Sequence, residues 1–162
     1  MPHMSFAMRR KTATLVAAVV AAFSWTSPAR LAAQEPATEG RAPIPTFDKR
    51  EVMVPTRDGV KLHTNIFTPR GFAGNLPILF VRTPYGIEGG ERAFNGSYAE
   101  LARDGYIFVF QDIRGRYKSD GQFVMLRQMR DRKNPKAIDE STDTYDSIQW
   151  LLSNVPRNNG RV

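Results

Sequence analysis

Two short apolar runs constrain this chain most: Leu76-Pro77-Ile78-Leu79-Phe80-Val81 and Tyr106-Ile107-Phe108-Val109-Phe110. Each is continuous rather than alternating, the pattern of a strand buried on both faces of a sheet. Between them, Ser97 to Arg103 places Tyr98, Leu101 and Ala102 at helical spacing, with Asn95 or Ser97 as caps and Asp104-Gly105 as a stop. Strand, helix and strand in that order predict a right-handed crossover and a parallel sheet, so the fold class is α/β. Both runs end in polar blocks, Val81-Arg82-Thr83-Pro84-Tyr85-Gly86 and Gln111-Asp112-Ile113-Arg114-Gly115-Arg116-Tyr117-Lys118-Ser119-Asp120-Gly121. The carboxyl edge of such strands is where an α/β sheet carries its chemistry.

Ahead of the first run, Glu51 to Thr56 and Val60 to Phe67 alternate apolar and polar residues around Arg57-Asp58-Gly59, an antiparallel hairpin with a tight turn. Residues 34–46 are rich in Pro, Ala, Glu, Gly and Thr without apolar period and read as a flexible linker, with order beginning near Phe47. Residues 1–33 have the layout of a secretory signal peptide. Arg9, Arg10 and Lys11 form its positive start, Thr12 to Trp25 its apolar run, and Leu31-Ala32-Ala33 its small-residue end. The expected location is therefore exported, periplasmic or secreted. The apolar run falls short of the ~20 residues of a bilayer span, so no stable membrane anchor is expected.

The net charge of +7 is mostly a property of that leader. Removing Arg9, Arg10, Lys11 and Arg30 from 23 basic residues leaves 19 against 16 acidic, or +3. The remaining charges are interleaved, which argues against nucleic acid as a partner. With no cysteine in the chain, disulfides, a thiol nucleophile, a lipoprotein anchor and cysteine-ligated metals are excluded.

After the second strand, Gly115 to Pro135 is a polar, basic stretch, long enough to be functional or disordered. Asp139-Glu140-Ser141 then opens a helix to about Ser153, with Tyr145, Ile148, Leu151 and Leu152 as its expected inward stripe. Pro156 ends it, and Arg161-Val162 reads as the start of a further strand.

Five groups of residues bear on chemistry. Tyr85 follows Thr-Pro at a strand end, where Pro84 stops the ladder. Its hydroxyl is a candidate donor to the oxyanion of acyl transfer, a contact whose loss typically costs ~2.7–4 kcal/mol; the alternative is a half-buried ring closing the core. Arg82 can bind a substrate carboxylate or pair with Asp112. Asp139, Glu140, Asp143 and Asp146 read as caps and a solvated face rather than a metal cluster. His63, within a hairpin strand, and His3, in the leader, are not placed as a general base. Gly86, Gly89 and Gly90 lack the spacing of a phosphate loop, and no cofactor is expected.

Together, Val54 to Leu62, Val81 to Tyr85, Gln111 to Gly121 and the Asp139–Trp150 helix resemble the cocaine esterase / X-Pro dipeptidyl-peptidase group of α/β-hydrolases. That group includes α-amino-acid ester hydrolases and glutaryl-cephalosporin acylases. The resemblance covers Phe47 to Val162 and implies the amino-terminal part of an α/β-hydrolase domain, an antiparallel hairpin leading into a parallel sheet that is incomplete here. It implies an oxyanion-hole role for Tyr85, with the nucleophilic serine in a later Gly-x-Ser-Tyr-x-Gly elbow and the acid and histidine further on. The implied activity is serine hydrolysis of a small-molecule ester or amide, or of a peptide, through an acyl-enzyme, and residues 1–162 alone are expected to be inactive. Two alternatives stand beside it: an X-Pro dipeptidyl-peptidase of the same fold, and a non-catalytic exported binding module whose Arg127–Lys136 loop meets an acidic partner.

Overall fold

A computed structural model describes residues 40–134 and 136–162. The expected signal peptide and residues 34–39 of the expected linker lie outside these residues. Strand β1 (Phe47–Pro55) and strand β2 (Lys61–Pro69) form the hairpin, which runs further from the turn than the alternation suggested and stops one residue short of it on each side. Its turn is closed by Thr56 N–H to the Val60 carbonyl at 2.8 Å and Gly59 N–H to the Thr56 carbonyl at 2.9 Å. Ahead of β1, Ile44 packs against the core and the Ala42 carbonyl accepts from Arg103 Nε at 2.7 Å.

Strand β3 (Ile78–Thr83), a 3₁₀ turn (Gly90–Asn95), helix α1 (Ala99–Asp104) and strand β4 (Ile107–Asp112) follow. Helix α1 starts two residues later than its spacing indicated. It ends at Gly105, whose left-handed backbone lets its own N–H and that of Tyr106 reach the Ala102 and Leu101 carbonyls. The sheet order is β1-β2-β4-β3, with β3 and β4 parallel and the other two pairs antiparallel. Every residue of β4 is buried, as expected for the middle of a two-sided sheet, whereas β3, last in the sheet order, is only half-buried beyond Ile78, which corrects the expectation of a second fully buried strand.

Helix α2 (Glu140–Asn154) crosses one face and the α1 segment covers the other. On the α2 side, Ile66, Ile78, Ile107 and Val109 pack with Leu151 and Val155. On the α1 side, Phe67, Phe94, Phe108 and Phe110 pack with Phe47 and Tyr98, their ring centroids 4.4–6.3 Å apart. Each such buried phenylalanine contributes ~1.5–3 kcal/mol. Beyond α2 the chain turns alongside the outer edge of β3. Leu76 N–H donates to Arg157 at 2.7 Å, Asn159 N–H to Leu76 at 2.9 Å and Ile78 N–H to Arg161 at 2.9 Å, a parallel approach like that of a new strand.

The inward face of α2 corrects the expected stripe. Tyr145 is exposed and Ile148 and Leu152 are half-buried, while Thr142, Asp143, Ser147 and Leu151 are buried. The upper turns of α2 lie over the polar ends of the sheet, so that face carries groups that bond to Arg114 and Gln111. Asp143 and Asp146 are accordingly not part of a solvated face. Asp143 pairs with Arg114, and Asp146 takes Arg57 in a fork at 2.7 and 2.9 Å. Asp139 does cap α2: its carboxylate accepts from Thr142 N–H while Thr142 Oγ1 accepts from the Asp139 N–H.

Candidate active site

Tyr85 stands one residue past Pro84 at the carboxyl end of β3, its side chain free of hydrogen bonds among the described residues and the residue 83% exposed. The ring does not close the core, which removes the structural alternative. Its backbone N–H donates to Thr83 Oγ1 at 3.1 Å, and Gly86 follows at φ +91°. The ring borders an open groove of about 620 Å³ walled by Ile113, Phe123, Val124, Met125 and Leu126, with Arg116, Arg127 and Glu140 at its rim.

The loop after β4 forms the opposite wall. Gly115 N–H donates to Asp120, Asp120 N–H to Lys61, and Ser119 Oγ to the Asp112 carbonyl at 2.7 Å, so Arg114 to Asp120 is tied to both neighbouring strands. A Cβ on Gly115 would lie 2.0 Å from Phe123 N, so the close return of the chain there demands glycine. Arg114 is buried and forks to Asp143 at 2.9 and 2.6 Å and to Asp58 at 2.8 and 3.0 Å. These bonds hold the Asp58 carboxyl down at about 2 and raise the guanidinium, chiefly through Asp143. Arg116 Nε donates to the Pro84 carbonyl at 3.0 Å.

Arg82 neither faces the groove as a carboxylate ligand nor pairs with Asp112. It lies opposite Gln111 in the β3–β4 register, one residue out of phase with Asp112, so strand alternation sends the two to opposite faces. Arg82 instead donates to Gln111 at 2.9 Å, Thr144 at 2.7 Å and Glu140 at 3.2 Å, and burial lowers its guanidinium from the ordinary value. Asp112, on the α1 face, accepts His63 Nδ1 at 2.8 Å, while His63 Nε2 meets Glu51 at 2.8 Å. His63 is thus buried in β2 with both nitrogens engaged.

Glu51, His63 and Glu88 bring ligand atoms within 4.8 Å of one another. Lys118 Nζ already bridges the two glutamates, at 3.1 and 2.9 Å, and supplies the cation of that cluster. Its hydrogen bonds lower both carboxyls, and theirs raise the ammonium. The pairing of His63 with Asp112 and the reach of Arg116 were not legible in the sequence; the only cue is that both lie in the polar block after β4 or opposite it.

Residues 58–162 match the model of the X-Pro dipeptidyl-peptidase (S15 family). The chain belongs to that family. It is 35% identical over 105 residues to the cocaine esterase of Rhodococcus sp. (strain MB1 Bresler), a stretch that is 62% of this chain and 16% of that protein. Its fold matches an aminopeptidase from the marine sediment archaeon Thaumarchaeota archaeon with a TM-score of 0.64 and 40% identity, over 78% of this chain and 23% of that one. An α-amino acid ester hydrolase matches with a TM-score of 0.61 and 42% identity, over 83% of this chain and 23% of that one. The chain therefore spans about a sixth of the curated relative and under a quarter of these two structures. The described residues form the amino-terminal part of an α/β-hydrolase fold, and the relatives named are an esterase, an aminopeptidase and an ester hydrolase.

Proposed function

We propose that this chain is the amino-terminal part of an exported serine hydrolase that cleaves an ester or amide through an acyl-enzyme. The observation that carries the reading is Tyr85: a solvent-facing phenol just past the carboxyl end of β3, beside a groove lined mainly by apolar side chains. In the reaction a serine Oγ attacks the acyl carbonyl, and the Tyr85 O–H donates to the oxyanion as it forms. Collapse expels the alcohol or amine, and water then releases the acid. The groove walls receive an apolar part of the substrate. The serine, its histidine and the acid are assigned to sequence following residue 162, as the greater length of the relatives supports.

Tyr85→Phe in the intact gene product tests this. The ring makes no contact that the hydroxyl sustains, so stability should hold while kcat falls ~100-fold or more with KM little changed. A p-nitrophenyl ester, an α-amino acid ester and an X-Pro anilide, assayed together, separate esterase from peptidase. An unchanged kcat on all three would remove Tyr85 from the mechanism. Export is tested by cell fractionation and by sequencing the amino terminus of the mature protein, expected near residue 34; a protein confined to the cytoplasmic fraction with Met1 intact would overturn it.

A further inference from the structure

Tyr85 has to hold its hydroxyl in one place although its own side chain has no hydrogen bond among the described residues and is almost wholly in solvent. An oxyanion donor is effective only when it is fixed before the charge develops. The restraint must come from the backbone on either side of it, and two consecutive residues each grip one side. On the amino side, Arg116 Nε donates to the Pro84 carbonyl at 3.0 Å. On the carboxyl side, the Tyr117 ring lies against Gly86 so closely that a Cβ there would be 2.9 Å from Tyr117 Cζ and 3.0 Å from Cε1. The guanidinium of Arg116 in turn lies over two rings, 5.4 Å from the centroid of Tyr117 and 5.0 Å from that of Phe123. Stacking of this kind suits a planar guanidinium and holds its donors in a fixed plane.

Tyr117 also has φ +48°, a left-handed backbone that costs a non-glycine residue energy and persists where surrounding structure imposes it. An exposed ring in that conformation is not explained by burial, since the residue is 63% exposed. Its contact with Gly86 gives it a task.

We propose that Arg116 and Tyr117 form a clamp that positions the Tyr85 hydroxyl for the developing oxyanion. This rests on the reading of Tyr85 as the oxyanion donor. Neither residue touches the substrate's reacting atoms in the proposal; both are positioning residues that act through Pro84 and Gly86.

The test is a double-mutant cycle in the intact gene product, assayed on a p-nitrophenyl ester. Arg116→Met is expected to lower kcat about tenfold with KM within twofold, and to change kcat less than twofold once Tyr85→Phe is present. Tyr117→Gly is the second variant: glycine accepts the left-handed backbone without strain, so folding is preserved while the ring is lost. It is expected to lower kcat about fivefold, again only when Tyr85 is intact. Tyr85→Phe by itself reports on the donor reading, so the two failures are separable. If Tyr85→Phe leaves kcat unchanged, the donor reading and the clamp both fall. If Tyr85→Phe is damaging but the Arg116→Met and Tyr117→Gly losses multiply with it, the donor reading stands and the clamp is overturned.

Discussion

Replacing Arg114 with methionine is expected to loosen the junction of the Thr56–Val60 turn, the loop after β4 and the start of α2. The Arg114 side chain is 3% exposed, and that of Asp143, which it grips with two hydrogen bonds, is equally buried. Methionine occupies most of the vacated volume but leaves the Asp143 carboxylate without its counter-charge. A lone buried charge of this kind costs ~3–5 kcal/mol. Asp58 adds little, because its side chain is 29% exposed and can turn to water. At about 1.4 kcal/mol per factor of ten, the first turns of α2 should open roughly a hundred- to a few-thousand-fold more often. Hydrogen–deuterium exchange of the amides from Asp143 to Ser147 reads that opening directly. Arg114→Met combined with Asp143→Leu removes the stranded charge as well, and most of the protection should return. Unchanged exchange in the single variant, or a double variant that exchanges as fast as the single, would refute the argument.

Other consequences are as direct. Gly115→Ala drives a methyl to within 2.0 Å of Phe123 N at a backbone φ of +68°, so soluble yield and thermal midpoint should both collapse; a midpoint within ~2 °C of the parent would contradict the close return. Asp139→Ala removes the α2 cap and the acceptor of the Arg130 N–H, and should cost ~1–2 kcal/mol by denaturant unfolding. The Asp58 carboxyl sits at about 2 against an ordinary 3.8, so its contribution is complete above about pH 4 and is lost as the pH falls toward 2. Acid unfolding followed by circular dichroism should show that limb in the parent and a flatter one in Arg114→Met.

How far residues alone predicted the site varied with the distance over which each contact acts. The place of Tyr85 at a strand end was legible because Pro84 ends a strand and an apolar run places that strand in the sheet, both local facts. The cap at Asp139 was legible for the same reason, since its partner Thr142 is three residues away. Arg82 was misjudged because its nearest acidic neighbour in the motif, Asp112, shares the sheet but not the face; only the β3–β4 register separates them. The α2 stripe was misjudged because apolar spacing says which residues can face inward, not what they will find there.

Period and composition were enough by themselves to define two neighbouring strands, the hairpin ahead of them, the crossover and the helix that follows, because backbone geometry acts over a few residues; that β4 is fully buried while β3 is only half-buried depended on their places in the sheet. Tertiary structure alone decided which charges would meet: Arg114 with Asp58 and Asp143 from 56 and 29 residues away, and His63 with Asp112 across the sheet. It decided also that Arg116 and Tyr117 would close on the turn holding Tyr85. Electrostatic and hydrogen-bond partners are chosen by proximity in space, which sheet register and packing create only after the chain has folded.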